Sequence, residues 1–352
     1  MSGFTLDELG WSSFFADQMD TSGDLVPGRV AVQHRGAYVL LAQQGELWAE
    51  PAGRLAHAGE APAVGDWVAA SVHGDRARIE SILPRRTAFS RKTADREAVE
   101  QVLAANIDTA LLVSALTRDL NPRRLERYLT LAWESGAVPA IVLTKADLCD
   151  DVAAALGQVE SVALGVPVHV TSAVTGDGLA ELESYLAPGR TVALLGSSGV
   201  GKSTLVNRLV GADVQETREI RDDGKGRHTT VRRELIRLPG SAWILDTPGM
   251  RELQLWSADD GLHEAFEDVD ALAHECRFND CRHESEPGCA VRAAIADGRL
   301  EPERLRSYRR LEAELRRLAA KQDDRLRMEL RRENRRFYRE IALANRRRPP
   351  RR

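Results

Sequence analysis

Short hydrophobic runs separated by turn residues fill the segment from residue 26 to residue 90. The runs are rich in Val, Leu, Ile, Trp and Tyr, a composition typical of β-strands. Strands are predicted at 29–33, 37–42, 45–49, 66–73 and 76–83. Five such short strands favour a small barrel of the OB type. An SH3-like barrel, or a barrel that serves only as a docking surface, fits the same pattern.

A different pattern, in which apolar strands alternate with amphipathic helices, extends from residue 91 to residue 256. Continuous apolar runs predict buried strands at 109–116, 138–143, 167–171, 191–195 and 242–245. Helical periodicity lies between several of them, at 123–134 and 179–186. Alternation of this kind predicts a doubly wound, mostly parallel α/β domain.

The rest of the chain divides into three regions. Residues 1–25 have little periodicity, and we expect a flexible N-terminal arm. Residues 257–320 are helical in pattern apart from a cysteine cluster, with Pro302 suited to a first helical position. Residues 321–352 continue as a basic helix and tail. The predicted organisation is therefore multidomain, with the barrel at 26–90 and the α/β domain at 91–256.

Charge is distributed unevenly along the 352 residues. The whole chain has a net charge of −4, yet residues 301–352 contain 19 Arg and Lys against 9 Asp and Glu. Arginine dominates this tail, and its planar guanidinium suits phosphate contacts. The tail is therefore predicted either to bind a polyanion or to form a solvated, salt-bridged helix.

Membrane insertion and secretion are not indicated by the sequence. No apolar stretch has membrane-spanning length, and the first twenty residues lack a basic leader and an apolar core. We therefore expect a cytoplasmic protein. Three of the four cysteines lie within residues 276–289, which in a cytosolic protein indicates a metal site rather than disulfides.

The strongest motif is a glycine-rich loop between the strand at 191–195 and an amphipathic helix. It fits the pattern G-x-x-x-x-G-K-[ST], in which backbone N–H groups surround phosphate oxygens at a helix N-terminus. Lys202 is suited to the β- and γ-phosphates and the Ser203 hydroxyl to Mg²⁺. A Gly/Ser-rich turn that matches by chance is the alternative. The predicted phosphate-binding residues are Gly196, Ser197, Ser198, Gly199, Val200, Gly201, Lys202, Ser203 and Thr204.

Two further motifs follow predicted strands and are suited to guanine. The tetrapeptide Thr144, Lys145, Ala146 and Asp147 resembles the [NT]-K-x-D motif of GTPases. A carboxylate there accepts hydrogen bonds from guanine N1–H and the 2-amino group, which adenine does not offer. Ser172 and Ala173 resemble the companion motif, in which a backbone N–H meets guanine O6.

The segment after the phosphate loop contains residues suited to sensing the γ-phosphate. Asp246-Thr247-Pro248-Gly249 resembles the D-x-P-G motif. Thr229 and Thr230 are candidates for the switch hydroxyl on Mg²⁺. Met250 occupies the position where many GTPases have a water-orienting Gln, so intrinsic turnover should be slow. His228 is the candidate for positioning the attacking water, although it could simply contact solvent or RNA.

The order of these motifs is unusual for a GTPase. The guanine motifs at 144–147 and 172–173 precede the phosphate loop at 196–204, whereas the phosphate loop ordinarily comes first. A circular permutation explains this order, because the termini of a compact domain often lie close together.

The cysteine cluster has the spacing C-x4-C-x-H-x5-C. Its ligand candidates are Cys276, Cys281, His283 and Cys289. Three thiolates and one imidazole match a closed structural zinc site, whereas catalytic zinc keeps an open position. Free cysteines in a loop are the alternative.

Taken together, these motifs resemble the RsgA (YjeQ/EngC) family of small ribosomal subunit biogenesis GTPases over nearly the whole chain. The resemblance also rests on the Gly226-Arg227-His228-Thr229-Thr230 segment. It implies a cytoplasmic GTPase that is stimulated by the small (30S) ribosomal subunit, assists its late maturation and contacts its rRNA. It further implies binding of GTP and GDP with magnesium, one structural zinc ion, catalytic use of His228, and a monomer without a membrane partner.

Three alternatives stay open at the level of sequence. One is a P-loop ATPase or small-molecule kinase with a structural zinc. Another is an RNA-binding scaffold that uses GTP only as a folding ligand. The third is a related permuted GTPase that acts on another RNA or on the large subunit.

Overall fold

The structure is a computed structural model that describes residues 3–20, 24–34, 36–92, 100–117, 120–211, 234–246 and 259–322. The chain forms two compact units. The first comprises residues 1–91 and 101–253, and the second comprises residues 92–100 and 254–352. The barrel and the α/β region, which the sequence pattern separates near residue 90, therefore belong to one unit.

The N-terminal segment is packed against the first unit. Leu9 is fully buried, and so is Phe15 of helix α1 (Ser13–Ala16). The ring of Trp11 lies 4.7 Å from the ring of Trp67 in the barrel. The expectation of a flexible arm is therefore wrong for this segment. Its aromatic side chains hold it in place by packing. The segment is too short for its sequence to show a hydrophobic period, so the sequence pattern did not indicate this packing.

Five strands form the barrel: β1 (Leu25–Gln33), β2 (Tyr38–Ala42), β3 (Gly45–Pro51), β4 (Trp67–His73) and β5 (Arg76–Ile82), with helix α2 (Gly53–Ala58) after β3. Their order is β1-β2-β3-β5-β4, and β4 pairs with β1, which closes the barrel. The β3–β5 pair is parallel and the other pairs are antiparallel. Side chains on β3 alternate between buried and exposed, as one core-facing side requires. The predicted five-stranded barrel is confirmed, and the β1–β4 pairing shows that it is closed.

The α/β region follows a separate two-stranded sheet of β6 (Ala88–Lys92) and β7 (Glu100–Ala105). Its strands are β8 (Thr109–Ala115), β9 (Val138–Thr144), β10 (Val168–Val170), β11 (Thr191–Leu195), β12 (Glu234–Arg237) and β13 (Trp243–Asp246). Their order is β10-β9-β8-β11-β13-β12, and only β12 is antiparallel to its neighbour in this group. The five predicted strands are confirmed, while β6, β7 and β12 were not predicted.

The helices beside this sheet are α3 (Pro122–Ser135), α4 (Val152–Glu160) and α5 (Lys202–Val210). Helix α3 begins after Asn121, whose side chain accepts hydrogen bonds from two backbone N–H groups of the first turn, and it ends at Gly136 with φ of 80°. A side-chain acceptor before the first turn and a left-handed glycine after the last are typical helix boundaries. The helix predicted at 179–186 is instead a 3₁₀ helix, Leu179–Tyr185.

The barrel and the α/β strands are joined in one sheet. Strand β1 pairs with β12, with Val32 opposite Glu234.

Arg29, also on β1, forms a second link between these parts of the chain. Its buried guanidinium donates to the Leu9 carbonyl at 2.5 Å and to Thr191 Oγ1 at 2.6 Å. Burial lowers the pKa of Arg29 to about 10, so it stays charged at neutral pH. Arg29 thereby ties the N-terminal segment and the barrel to the first residue of β11.

In its described residues the second unit contains the helices α6 (Asp259–Ala265), α7 (Glu267–His274), α8 (Ala290–Ala296) and α9 (Pro302–Gln322). Arg304 at the start of α9 is 3% exposed. Its guanidinium donates to both carboxylate oxygens of Asp268 and to the Ala265 carbonyl, and lies 4.2 Å from the ring centre of Phe266. This arginine holds α9 against α6 and α7. The basic tail beyond residue 322 lies outside the described residues.

Within the described part of the chain, no helix combines the length and the apolar composition that crossing a membrane requires.

Substitutions of two adjacent phenylalanines test the packing of the N-terminal segment. Phe15→Ala removes a buried ring and should lower the free energy of unfolding by about 3 kcal/mol. Phe14 is 40% exposed, so Phe14→Ala should cost less than about 1 kcal/mol. Urea unfolding of the full chain measures both values. Equal small effects would show that the segment does not contribute to the core.

Candidate functional site

The phosphate-binding loop predicted from sequence connects β11 to α5. All five residues of β11 are buried, and the helix begins at Lys202. Gly199 and Gly201 have φ of 80° and 96°, a backbone conformation that favours glycine. A Cβ atom on Gly196 would lie 2.4 Å from the Val113 carbonyl oxygen. The glycines of the motif are therefore required by backbone shape and by close approach to β8.

The side chain of Lys202 lies over the loop that precedes it. Its ammonium donates to the carbonyls of Gly196 at 2.7 Å and Ser197 at 2.6 Å. A strand, a glycine loop and a helix N-terminus with a lysine at its first position form an anion site by their backbone N–H groups and helix dipole. This part of the candidate site can hold phosphate groups.

The tetrapeptide of residues 144–147, which resembles the guanine-binding motif of GTPases, contacts the phosphate loop directly. The Thr144 hydroxyl donates to the Val200 carbonyl. Lys145, which has φ of 61°, donates from its ammonium to the Gly199 carbonyl at 2.7 Å. These contacts span more than fifty residues of sequence. The structure therefore brings together the two loops whose sequence motifs predict a single nucleotide site.

Asp147 is held by the companion motif. The Ser172 hydroxyl, which is buried, donates to Asp147 Oδ1 at 2.5 Å. The backbone supports the same arrangement, because the Ala146 N–H donates to the Thr171 carbonyl at 3.2 Å. The carboxylate is thus fixed at the ends of β9 and β10 while its side chain stays exposed.

Two sets of contacts to these loops were missed by sequence reasoning. On α3, Arg124 Nη1 donates to Ser197 Oγ at 3.0 Å, and the Tyr128 hydroxyl lies 3.5 Å from the same atom. On α5, Arg208 donates to the carbonyls of Ala173 and Val174. A single arginine or tyrosine on a helix face has no distinctive spacing, so no motif could have found these residues.

Several predicted residues lie outside the described part of the structure. These are His228, Thr229, Thr230 and Gly249, together with the side chain of Asp246. The backbone of Asp246 is the last residue of β13, which is the parallel neighbour of β11. Asp246 therefore lies at the end of a strand adjacent to the one that leads into the phosphate loop.

The four predicted metal ligands lie together in the second unit. The ligand atoms of Cys276, Cys281, His283 and Cys289 are all within 4.8 Å of one another. His283 Nδ1 lies 3.6 Å from the Cys276 sulfur and 3.5 Å from the Cys289 sulfur. Burial lowers the pKa of His283, which favours the neutral, ligating imidazole. Three sulfurs and one nitrogen at these separations fit a tetrahedral ion. Cys149 belongs to the first unit and is not part of this cluster.

The sheet order and the two loops at its edge define the class of protein. Strands β9 and β10, which lead into the loops with the guanine motifs, precede β11 in the chain. In the sheet, however, β9 pairs with β8 and β8 pairs with β11, all in parallel. The ends of these strands meet at one edge, where doubly wound sheets bind ligands. This is the fold of a circularly permuted P-loop GTPase.

Comparison with known proteins agrees with this class. The family model for the RsgA GTPase matches residues 82–256. The YjeQ protein of Thermotoga maritima has a crystal structure that superposes with a TM-score of 0.65 at 25% identity, covering 83% of this chain and 98% of YjeQ. The crystal structure of YloQ, described as a circularly permuted GTPase, superposes with a TM-score of 0.61 at 24% identity, covering 84% of this chain and 97% of YloQ.

Curated relatives are closer in sequence. The small ribosomal subunit biogenesis GTPase RsgA of Opitutus terrae is 49% identical over 328 residues, covering 88% of this chain and 89% of the relative. RsgA 2 of Lactiplantibacillus plantarum is 51% identical over 306 residues, covering 85% and 86%. The chain belongs to the RsgA family of GTPases, and it is a GTP hydrolase.

Proposed function

We propose that this chain hydrolyses GTP while bound to the small ribosomal subunit and assists a late step of the subunit's maturation. The curated relatives are named for small-subunit biogenesis. The observation that supports the nucleotide part of the proposal is the direct contact of Thr144 and Lys145 with the phosphate loop. One nucleotide can then touch both loops at once.

Guanine is recognised through hydrogen bonds to Asp147 and Ala173. The Asp147 carboxylate accepts from guanine N1–H and the 2-amino group, and the Ala173 N–H donates to O6. Adenine offers neither donor to the carboxylate, so a P-loop ATPase is disfavoured by the unpaired acceptor that ATP would leave. Ser172 orients the carboxylate for this role through its 2.5 Å hydrogen bond.

The phosphates are bound by the residues 196–204. Their backbone N–H groups and the Lys202 ammonium neutralise the β- and γ-phosphates, which is the main requirement of phosphoryl transfer. Ser203 and one of Thr229 and Thr230 are the proposed Mg²⁺ ligands, with Asp246 in the outer shell and Gly249 at the γ-phosphate. Magnesium supplies charge neutralisation between the phosphate oxygens when it is bound.

The attacking water is proposed to be positioned by His228. Met250 cannot orient water, since it has no strong hydrogen-bonding group. An imidazole in the switch loop can accept a proton or hold a water near neutral pH. If the small subunit positions His228 beside the attacking water, turnover should be slow in the free enzyme and faster when the subunit is bound.

The RNA contacts are assigned to the barrel of residues 26–90 and the basic tail of residues 321–352. The tail's excess of arginine suits phosphate backbones. We propose that the protein acts as a monomer in the cytoplasm, with rRNA of the small subunit as its macromolecular partner.

Phosphate release from GTP, measured alone, with small subunits and with large subunits, tests the proposed function. We expect stimulation by small subunits only, and its loss when magnesium is chelated. His228→Ala should lower the stimulated kcat by about 100-fold, the scale of a lost acid–base or water-positioning group, with GDP affinity unchanged. His263→Ala, at an exposed histidine of the second unit, serves as the control. Equal stimulation by large subunits would contradict the proposed target, and full activity of His228→Ala would contradict its role.

The cysteine cluster is proposed to bind one structural zinc ion. The four donors leave no open position for a substrate, which supports a structural role. Purified protein should contain about one zinc ion per chain. Cys289→Ser should lose the ion, whereas Cys149→Ser should keep it; zinc content that is unaffected by Cys289→Ser would rule out this site.

A further inference from the structure

Arg208 lies in the last turn of α5, the helix that begins with Lys202 in the phosphate loop. One edge of its guanidinium faces two successive carbonyls of a different loop. Nε donates to the Ala173 oxygen at 2.6 Å, and Nη2 donates to the Val174 oxygen at 2.9 Å. A single helix therefore contacts the phosphate loop at one end and the loop of residues 172–178 at the other.

The loop of residues 172–178 is a tight turn with its own hydrogen bonds. The Ser172 N–H donates to the Asp177 carbonyl at 3.0 Å, and the Gly176 N–H donates to the Ser172 carbonyl at 2.8 Å. Within the described part of the chain, no protein acceptor takes the N–H of Ala173. This N–H is the group proposed above to meet guanine O6.

The turn is held from two sides. On one side, the Ser172 hydroxyl is bonded to Asp147. On the other side, Arg208 fixes the carbonyls of Ala173 and Val174, and with them the planes of the peptide groups that follow the Ala173 N–H. A planar guanidinium that bonds two acceptors restricts both distance and orientation, which a single flexible donor does not.

We propose that Arg208 is a specificity-determining positioning residue, which sets the Ala173 N–H at guanine O6 at a fixed distance from the phosphate loop. The inference rests on the proposed guanine site. Arg208 itself touches no part of the nucleotide in this account. Because its side chain is exposed, its hydrogen bonds should add little to overall stability, and its effect should appear in base selectivity.

The experiment compares three nucleotides that differ in one group of the base. GDP has O6 and the 2-amino group. The diphosphate of 6-thioguanosine replaces O6 by sulfur, a weak acceptor, and IDP lacks only the 2-amino group. The GDP-to-thio ratio of affinities reports the Ala173 contact, and the GDP-to-IDP ratio reports the Asp147 contact. Ratios within one variant are independent of any inactive fraction of the protein.

For Arg208→Ala we expect GDP affinity to fall by about tenfold, the scale of one lost hydrogen bond, with a much smaller loss for the thio analogue. The GDP-to-thio ratio should then approach one while the GDP-to-IDP ratio stays at the wild-type value. Arg208→Lys, which can reach one carbonyl, should give an intermediate ratio. Arg310→Ala removes an exposed helical arginine from the second unit and should change neither ratio.

Two other results have distinct meanings. Equal losses for all three nucleotides, or no loss, would overturn the positioning role of Arg208 while leaving the guanine site intact. Equal affinity of the wild-type chain for GDP and ADP would instead overturn the proposed guanine site, and this inference with it.

Discussion

The structure depends on the contact between the end of β9 and the phosphate loop. The Thr144 hydroxyl donates to the buried carbonyl of Val200, which would be costly to leave without a donor. The Lys145 ammonium adds an exposed bond to the Gly199 carbonyl. The two loops are thus held at one separation and form a single surface. Every proposed nucleotide contact in the described residues is within or next to these two loops.

This contact explains why the order of the motifs along the chain does not prevent them from forming one site. Strands β9, β8 and β11 are parallel neighbours in that order, with Leu111 of β8 opposite Leu194 of β11. The loops that follow β9 and β11 therefore emerge at the same edge of the sheet. The sheet fixes which strand ends are adjacent, whereas the connections between strands can be exchanged. The permuted chain also places β12 against the barrel strand β1, so the barrel and the nucleotide-binding sheet form one compact unit.

Features carried by local sequence could be predicted. The strands of the barrel and of the α/β sheet show clear hydrophobic runs, and the phosphate loop and the cysteine cluster have characteristic spacing. Strand β12 was missed because four residues, two of them charged, show no clear period. The burial of Leu9 and the contacts of Arg29 and Arg208 were missed for another reason. Each depends on partners far away in sequence, which only the folded chain brings close.

The base preference of the Asp147→Asn variant tests most directly whether Asp147 and the phosphate loop bind one guanine nucleotide. An asparagine amide can donate to the 2-oxo group of xanthine but offers guanine's 2-amino group no carboxylate acceptor. We expect GDP affinity to fall by at least about 100-fold and xanthosine diphosphate to become the preferred ligand. Asp150→Asn, three residues further on and exposed, should retain the wild-type preference for GDP. An unchanged preference for GDP in Asp147→Asn would contradict the claim that this carboxylate and the phosphate loop bind one guanine nucleotide.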